Sequence, residues 1–593
     1  MADPLSTAAS AVSVVSLSLQ LLAGCIKGFV LLSTAHNLGN DASTIVCMLE
    51  LQEIQLTEWA RRAGLLTGDG VLDRRLNAHA VERTLLQLQS LLLDTEQLKK
   101  RYSLKLVSQA TNDQQTTTQL RPASLSESQR VFTTISDETR RQIMTRAKVA
   151  QERNVFKRLW WSAVDKEKIE KLVRDVHFLV RELWHLLDPW RHDDLFSSTK
   201  AVTTNIVTLN NRFDQLTSLN EALNALRGTL LTLPDASLKT LAVSAEVKAL
   251  RVGLGDDDQE QSLEQTVGAP KRQELLQRLG CLSRLRLTNF KPMKKHETMG
   301  LADYDGQRVF VEWKPINPPL RSKILPRVEN LAALLNVPKD ETFRSLSCKG
   351  IVEQDGMVSF VFDHPFPSCP EEPRSLLDLF SAKDGIEPPS LSDRIRLALQ
   401  IARTVQNFHR AGWLHKSLRS ENILFFPTND TSTVTSISDP VLAGFNFARF
   451  GSPTEISEQP SADPKHDIYR HPSAMGEPSL SFSALMDVYA LTTVMLEIAE
   501  WRALRYIVDS VVDVGAENVP LSKLAQVQPF LLSGRGKGGT SKLRTKMGDI
   551  YTSVCLMCLG GKAEEANLGQ DDGLEPRGSL LDVAVQRLES CNI

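Results

Sequence analysis

The N-terminal segment, residues 4–26, constrains the fold most strongly because it contains no charged residue. Its larger apolar side chains recur at the spacing of an α-helix, and the main ones are Val12, Val15, Leu19, Leu22 and Ile26. Such a segment is stable in the core of a helical bundle or inside a bilayer. The serines between Ser6 and Ser18 make it a marginal membrane span, and Met1-Ala2-Asp3 lacks the basic start of a secretory signal peptide. We therefore expect a buried bundle helix in the resting protein.

The rest of the first half continues the helical pattern. Thr44–Gly64, Leu76–Tyr102 and Lys166–Leu187 place apolar residues on one helical face, and no strand pattern competes with them. This periodicity predicts an all-α helical bundle over residues 1–215.

Three pieces of this half resemble the HeLo domain of fungal cell-death proteins, in the prion-inhibition and propagation family. They are the small-residue apolar start, Trp59 before the run Arg61–Gly64, and the run Trp161–Lys168. The resemblance covers roughly residues 1–215. It implies a bundle whose N-terminal segment leaves the fold and enters a membrane when an upstream signal releases it. Membrane lipid is then a partner on activation, and the resemblance favours self-association of the activated protein.

Two runs in the second half resemble a protein kinase site whose chemistry has been removed. They are the run His415–Asn422, which resembles the catalytic loop, and the run Val441–Arg449, which resembles the metal-binding loop. Ser417 stands where kinases have the catalytic Asp, and Gly444 stands where they have the magnesium-binding Asp. A Ser hydroxyl does not take up a proton near neutral pH, and Gly has no side chain to offer a cation. The resemblance therefore implies a pseudokinase.

Further landmarks follow in kinase order. The apolar helix Arg394–Gly412 precedes His415, and Phe445 occupies the middle of the second run. Downstream, Asp487 resembles the Asp on the central helix that braces the catalytic loop. This ordered series predicts an α+β, bilobal, protein-kinase-like fold over residues 276–593.

The smaller lobe begins with a hairpin signal at Asp305-Gly306. The following strand ends at Lys314, which resembles the nucleotide-binding lysine of kinases, and Glu329 on the next predicted helix is the candidate ion-pair partner of that lysine. Strand alternation places Glu312 on the same face as Lys314, where it crowds the pocket or pairs with the lysine.

The glycine-rich loop that closes over phosphates is missing, because Gly300 and Gly306 are the only glycines between Leu287 and Lys314. The sequence therefore favours loss of ATP binding over its retention, and no cofactor is certain. Lys314 and Asn422 are the two candidate nucleotide contacts if ATP still binds.

Residues 216–275 connect the two halves through two predicted helices and an acidic, flexible tether that includes the run Asp256–Asp258.

The net charge of −2 gives no reason to expect a nucleic-acid partner. A locally basic run, residues 140–174, suits anionic lipid. The eight cysteines are scattered, which is typical of a reducing cytosol, and the pair Cys555 and Cys558 fits core packing better than a metal site.

These features favour a cytoplasmic cell-death or incompatibility effector that is recruited to the plasma membrane and whose pseudokinase restrains the helical domain. The upstream partner is not defined by the sequence. One alternative is an active but atypical ATP-dependent protein kinase in which Asp439 supplies the metal ligand. Another is a non-enzymatic signalling scaffold that never enters a membrane.

Overall fold

The fold is that of a computed structural model, and the chain divides into two compact units, Met1–Ala249 and Leu250–Ile593. The structure describes residues 4–33, 42–66, 72–73, 75–102, 104–108, 133–147, 159–163, 166–187, 200, 203–208, 210–226, 235–253, 282, 286–294, 296–316, 318–339, 341–354, 356–369, 371–381, 386–427, 437–450, 463–476, 481–516, 519–533, 542–561 and 579–591. The predicted acidic tether lies outside these residues.

The first unit is a bundle of helices around one apolar core. Its helices are α1 (Pro4–Ser33), α2 (Ala42–Arg62), α3 (Ala78–Leu93), α4 (Thr95–Tyr102), α5 (Thr133–Arg146), α6 (Lys166–His185), α7 (203–208), α8 (Phe213–Leu226) and α9 (Asp235–Gly253). Helix α2 is central because it packs against α1, α6 and α8. Helices α8 and α9, which the sequence assigns mainly to the connecting segment, share the same core through Leu219 and Leu238. The predicted helical bundle is confirmed.

Helix α1 is buried in this core over the part whose side chains are described. Leu19 is 8% exposed, and Leu22 and Ile26 are completely buried. The side chains of Val12 and Val15 lie outside the described residues, so their share of the apolar face stays a prediction. Within the described part of the chain, no helix has the length and hydropathy that a membrane span requires.

Two glycines bring α1 unusually close to α3. A Cβ atom at Gly28 would lie 2.5 Å from the Cβ of Leu92, and one at Gly24 would lie 2.0 Å from Nε2 of Gln89. The Cβ of Leu92 cannot move without its backbone, so the observed spacing of the two helices requires glycine at position 28, whereas the flexible end of Gln89 is the neighbour at position 24. The interface therefore has the small-x-x-x-small pattern that lets helix backbones approach closely.

The bundle also contains a strand pair that the helical periodicity does not predict. Strands β1 (Leu104–Ser108) and β2 (Leu159–Ala163) pair antiparallel, with Leu106 opposite Trp161. Each strand is five residues long, and their separation in sequence leaves no hairpin signal. A pairing of this kind depends on tertiary contacts rather than on local pattern.

The second unit contains a five-stranded antiparallel sheet in the order β3-β4-β5-β7-β6. Its strands are β3 (Leu287–Pro292), β4 (Met299–Tyr304), β5 (Gln307–Pro315), β6 (Cys348–Gln354) and β7 (Met357–Asp363). The predicted hairpin is confirmed: Tyr304 pairs with Gln307, and Asp305 and Gly306 have φ values of 49° and 76°. Positive φ at both central residues is the geometry of a type I′ turn. Helix α10 (Arg321–Asn336) packs on β6.

The remaining elements form a mainly helical part. The helices are α11 (Leu376–Leu379), α12 (Leu391–Arg410), α13 (Pro464–Asp467), α14 (Ala484–Glu500), α15 (Leu504–Ile507), α16 (Leu521–Leu524), α17 (Val527–Ser533), α18 (Leu543–Gly560) and α19 (Leu580–Glu589). Short strands accompany them: β8 (Arg374–Ser375), β9 (Trp413–Leu414), β10 (Ile423–Phe425), β11 (Val441–Leu442) and β12 (Arg449–Phe450). Helix α14 is buried on nearly all sides and packs against α12 and α18. Sheet and helical part together confirm the predicted α+β, bilobal architecture.

Substituting Gly28 with leucine should loosen the α1–α3 contact, because the new side chain overlaps Leu92. We expect a local destabilisation of about 1–3 kcal/mol, the usual cost of overpacking. The measurement is amide hydrogen exchange of peptides that cover residues 17–33 in the full chain, which should become faster. Gly560→Ala is the matched control, because a Cβ there meets nothing within 4 Å. Unchanged exchange in Gly28→Leu would contradict the assigned role of this glycine.

Candidate functional site

The run that begins at His415 is held in place by one buried carboxylate on α14. Asp487 is completely buried, and its oxygens accept hydrogen bonds from the backbone amides of His415 (2.7 Å) and Lys416 (2.9 Å). Nε2 of His409, at the end of α12, lies 3.2 Å from the same carboxylate. The structure thus places Asp487 under the loop, as the sequence predicts.

The His415 ring connects this loop to the run that follows β11. Nε2 of His415 lies 3.0 Å from the carbonyl oxygen of Ala443, and the ring stacks edge-on against Phe445 at 5.0 Å between centroids. Burial lowers the pKa of His415 to about 4, so the ring is neutral at physiological pH. A neutral ring that donates to Ala443 through Nε2 accepts through Nδ1, and the amide of Ser417 lies 3.3 Å from that atom.

Ser417, Asn422 and Gly444 are brought together, and none of them carries a charge. Nδ2 of Asn422 donates to the carbonyl oxygen of Ser417 (2.7 Å) and lies 3.2 Å from the Ser417 hydroxyl. Nη1 of Arg419 also donates to this hydroxyl, at 3.0 Å. Both groups donate an N–H hydrogen, so the Ser417 oxygen serves as a hydrogen-bond acceptor. A neutral hydroxyl in this position cannot remove a proton from a substrate.

The backbone conformation of residue 444 and a neighbouring side chain both favour glycine at this position. Its φ of 82° is in the left-handed region, and a Cβ at this position would lie 2.3 Å from Nδ2 of Asn422. A residue with a side chain would therefore be strained and would collide with the amide that contacts Ser417. The metal-binding carboxylate of kinases has no room in this arrangement.

Glu312 and Lys314 on β5 both bind the backbone of the same short segment. The amides of Gly444 and Phe445 donate to the two carboxylate oxygens of Glu312, at 2.9 and 3.0 Å. Nζ of Lys314 donates to the carbonyl oxygen of Asn446 at 3.2 Å. The sequence allows Glu312 to crowd the pocket or to pair with Lys314. In the structure its carboxylate instead receives backbone amides.

Burial dominates the electrostatics of Glu312. The side chain is 1% exposed, and desolvation raises the pKa of its carboxyl from 4.5 to about 7, while the hydrogen bonds from Gly444 and Phe445 act in the opposite direction. The carboxyl therefore changes protonation state near neutral pH, unlike an exposed glutamate.

Two predicted residues lie apart from this cluster. Glu329 is half-buried on α10, and the contacts of the described residues include no ion pair between it and Lys314. Asp439 pairs with Arg344 at 3.3 Å, and its side chain is 88% exposed. Neither carboxylate therefore takes the place of the missing catalytic groups in this conformation.

The structure also shows a buried polar cluster that sequence reasoning missed. The hydroxyl of Tyr469 donates to Glu497 on α14 at 2.7 Å and lies 3.1 Å from the hydroxyl of Ser420. Glu497 is completely buried, and burial raises its pKa to about 8. This cluster ties the segment after α13 to the loop around Ser417. No local pattern indicates it, because the three residues are far apart in sequence.

Comparison with known proteins agrees with the helical bundle of the N-terminal region. Residues 10–219 match the family model HeLo, described as prion-inhibition and propagation. The N-terminal region is a HeLo domain. The predicted resemblance in this half is confirmed, and α1, with its two close-packed glycines, is the first helix of the HeLo domain.

The second region is kinase-like. A serine/threonine-protein kinase-like protein of Arabidopsis thaliana is 31% identical over 156 residues, which is 26% of this chain and 41% of the relative. A probable serine/threonine-protein kinase of Dictyostelium discoideum, gdt4, is 25% identical over 170 residues, which is 28% of this chain and 10% of the relative. The chain thus spans less than half the length of either curated relative. The HeLo domain is followed by a kinase-like region.

Replacing Gly444 with aspartate should destabilise the protein rather than restore a kinase site. The positive φ and the collision with Asn422 together should cost about 1–3 kcal/mol. Gly306→Asp is the matched control, since Gly306 has a φ of 76° but a Cβ there meets nothing within 4 Å. Urea unfolding of both variants should show the larger loss for Gly444→Asp. Equal losses would mean that the contact with Asn422 contributes nothing.

The raised pKa of Glu312 predicts a specific pH dependence. The folded pKa of about 7 lies above the ordinary value of 4.5, so this group stabilises the fold fully below pH 4.5 and loses that contribution as the pH rises through 7. Relative to Glu312→Gln, the free energy of unfolding should fall by about 2–3 kcal/mol between pH 5 and pH 8. Urea unfolding across this range measures the difference, and parallel profiles for the two proteins would rule it out.

Proposed function

We propose that this chain is a cell-death or incompatibility signalling effector of the fungal type. In it, a kinase-like region without phosphotransfer activity restrains a membrane-active HeLo domain. An upstream signalling protein relieves the restraint. The N-terminal helix then enters membrane lipid and the released domains associate. The resting protein is cytoplasmic and is recruited to the plasma membrane on activation.

One observation carries the proposal: a HeLo domain is joined to a kinase-like site that has lost both working carboxylates. Ser417 accepts hydrogen bonds from Asn422 and Arg419, and Gly444 contacts Asn422 where a side chain would have to fit. Phosphoryl transfer needs a group that orients the nucleophile and a group that holds the metal. A region without either is better suited to a regulatory role than to catalysis.

The packing of α1 supports a restrained N-terminal helix. Its described side chains from Leu19 to Leu32 are largely buried against the bundle, and the contact with α3 relies on Gly28, which lies against the Cβ of Leu92. A helix whose residues 4–26 carry no charge, and which is held by close backbone packing, loses much of its protection when the neighbouring helix moves. The bilayer is then the alternative environment for its apolar surface.

The alternative of an active atypical kinase has less support. It requires Asp439 to hold the metal, but that carboxylate is exposed and pairs with Arg344. It also requires Lys314 to reach a nucleotide, whereas its ammonium group donates to the carbonyl of Asn446. ATP binding therefore remains disfavoured in our proposal.

Dye release from anionic liposomes tests the effector function. We expect leakage from residues 1–253, a fragment that retains α9 because Leu238 and Leu241 belong to the bundle core. The full chain should release at least several-fold less dye, and Gly28→Leu in the full chain should raise its release. Circular dichroism of the fragment verifies that it is folded.

The control is the Gly560→Ala full chain, which should behave like the wild type. A folded fragment that binds liposomes without causing leakage would reject the membrane effector and leave the signalling scaffold as the better hypothesis. Phosphate transfer from radiolabelled ATP that disappears in Lys314→Met would instead support the atypical kinase.

A further inference from the structure

Strand β5 reaches across the cleft of the kinase-like region with two charged side chains. Glu312 receives the amides of Gly444 and Phe445, and Lys314 donates to the carbonyl of Asn446. We call this set of contacts the Glu312 clasp. Three consecutive residues of the segment after β11 are thereby bound by one strand of the sheet.

Both carboxylate oxygens at the centre of the Glu312 clasp have hydrogen-bond donors. Each oxygen of the Glu312 carboxylate accepts one amide hydrogen bond, and the side chain is 1% exposed. Withdrawing the carboxylate would strand two buried amides, at a cost of about 1–3 kcal/mol for each unsatisfied donor. The contacts between β5 and this segment are therefore costly to break.

The limited space around Gly444 fits a carboxylate that is supplied by Glu312 on β5 and not by residue 444 itself. A side chain at residue 444 would collide with Asn422 in its observed position, so an acid there would have to displace the amide that contacts Ser417. Glu312 places a carboxylate against the same backbone from β5. Because each of its oxygens accepts an amide hydrogen bond, this carboxylate serves as an internal ligand of the backbone.

We propose that Glu312 is a built-in ligand that holds the kinase-like cleft closed in the absence of nucleotide, and that displacement of its carboxylate is the step through which a signal enters this region. The first part stands on the geometry alone. The second part rests on the proposed function, because it assumes that the kinase-like region restrains the HeLo domain.

Hydrogen exchange of the full chain tests the first part. In Glu312→Ala, peptides that cover residues 441–450 should exchange at least tenfold faster than in the wild type. Glu353→Ala is the matched control, because Glu353 is a carboxylate on β6 of the same sheet that pairs with Arg321 at the surface; it should leave these peptides unchanged. Exchange within twofold of the wild type in Glu312→Ala would overturn the clasp.

Two further measurements keep the test decisive. If Glu312→Ala does not fold, Glu312→Gln retains one carbonyl acceptor and should give an intermediate increase in exchange. In the wild type, millimolar ATP with Mg²⁺ should leave the exchange of residues 441–450 unchanged, since the clasp already occupies the segment. A nucleotide-dependent slowing in the wild type would overturn the proposal that closure is independent of nucleotide.

Liposome leakage by the Glu312→Ala full chain tests the second part. Faster exchange together with increased dye release supports displacement of the carboxylate as the signalling step. Faster exchange with unchanged dye release overturns that step, provided that residues 1–253 alone cause leakage. If residues 1–253 fail to cause leakage, the proposed function fails, and the exchange result alone still decides whether Glu312 closes the cleft.

Discussion

Hydrogen bonds from backbone amides to buried carboxylates hold the kinase-like site in shape. Asp487 receives two amides of the loop around His415, and Glu312 receives two amides of the segment at Gly444. A buried carboxylate is costly unless its oxygens are satisfied, so each one fixes the path of the backbone that satisfies it. The uncharged Ser417 and Asn422 can therefore retain a kinase-like arrangement without kinase chemistry.

The HeLo domain solves a different physical problem, which is how to bury a helix whose residues 4–26 carry no charge. Helix α1 contributes Leu22, Ile26 and Phe29 to the bundle core, and Gly24 and Gly28 allow α3 to approach its backbone. Around Gly28 the contact consists of apolar packing against Leu92 at short range. Such packing is sensitive to small displacements, because dispersion attraction decays steeply with distance. In the proposed function, this sensitivity is what makes the helix releasable.

Sequence reasoning predicted the regular elements better than the contacts between them. Helical periodicity and the Asp305-Gly306 turn signal located α2, α6, α12 and the β4–β5 hairpin, since each depends on neighbouring residues. It missed the β1–β2 pair, whose strands are far apart in the chain, and the Tyr469–Glu497 hydrogen bond. It named Glu329 as the candidate ion-pair partner of Lys314 on a helix position alone, and the ion pairs among the described residues do not include this one.

The sequence by itself determined that both working carboxylates are absent, because the identity of residues 417 and 444 is independent of folding. It also determined that residues 4–26 carry no charge, and that the two halves of the chain differ in their apolar periodicity. Only the tertiary structure decided that Glu312 turns its carboxylate onto the amides of Gly444 and Phe445. Strand alternation gives the face on which a side chain lies, but its partner depends on a segment more than one hundred residues later, which local pattern cannot position.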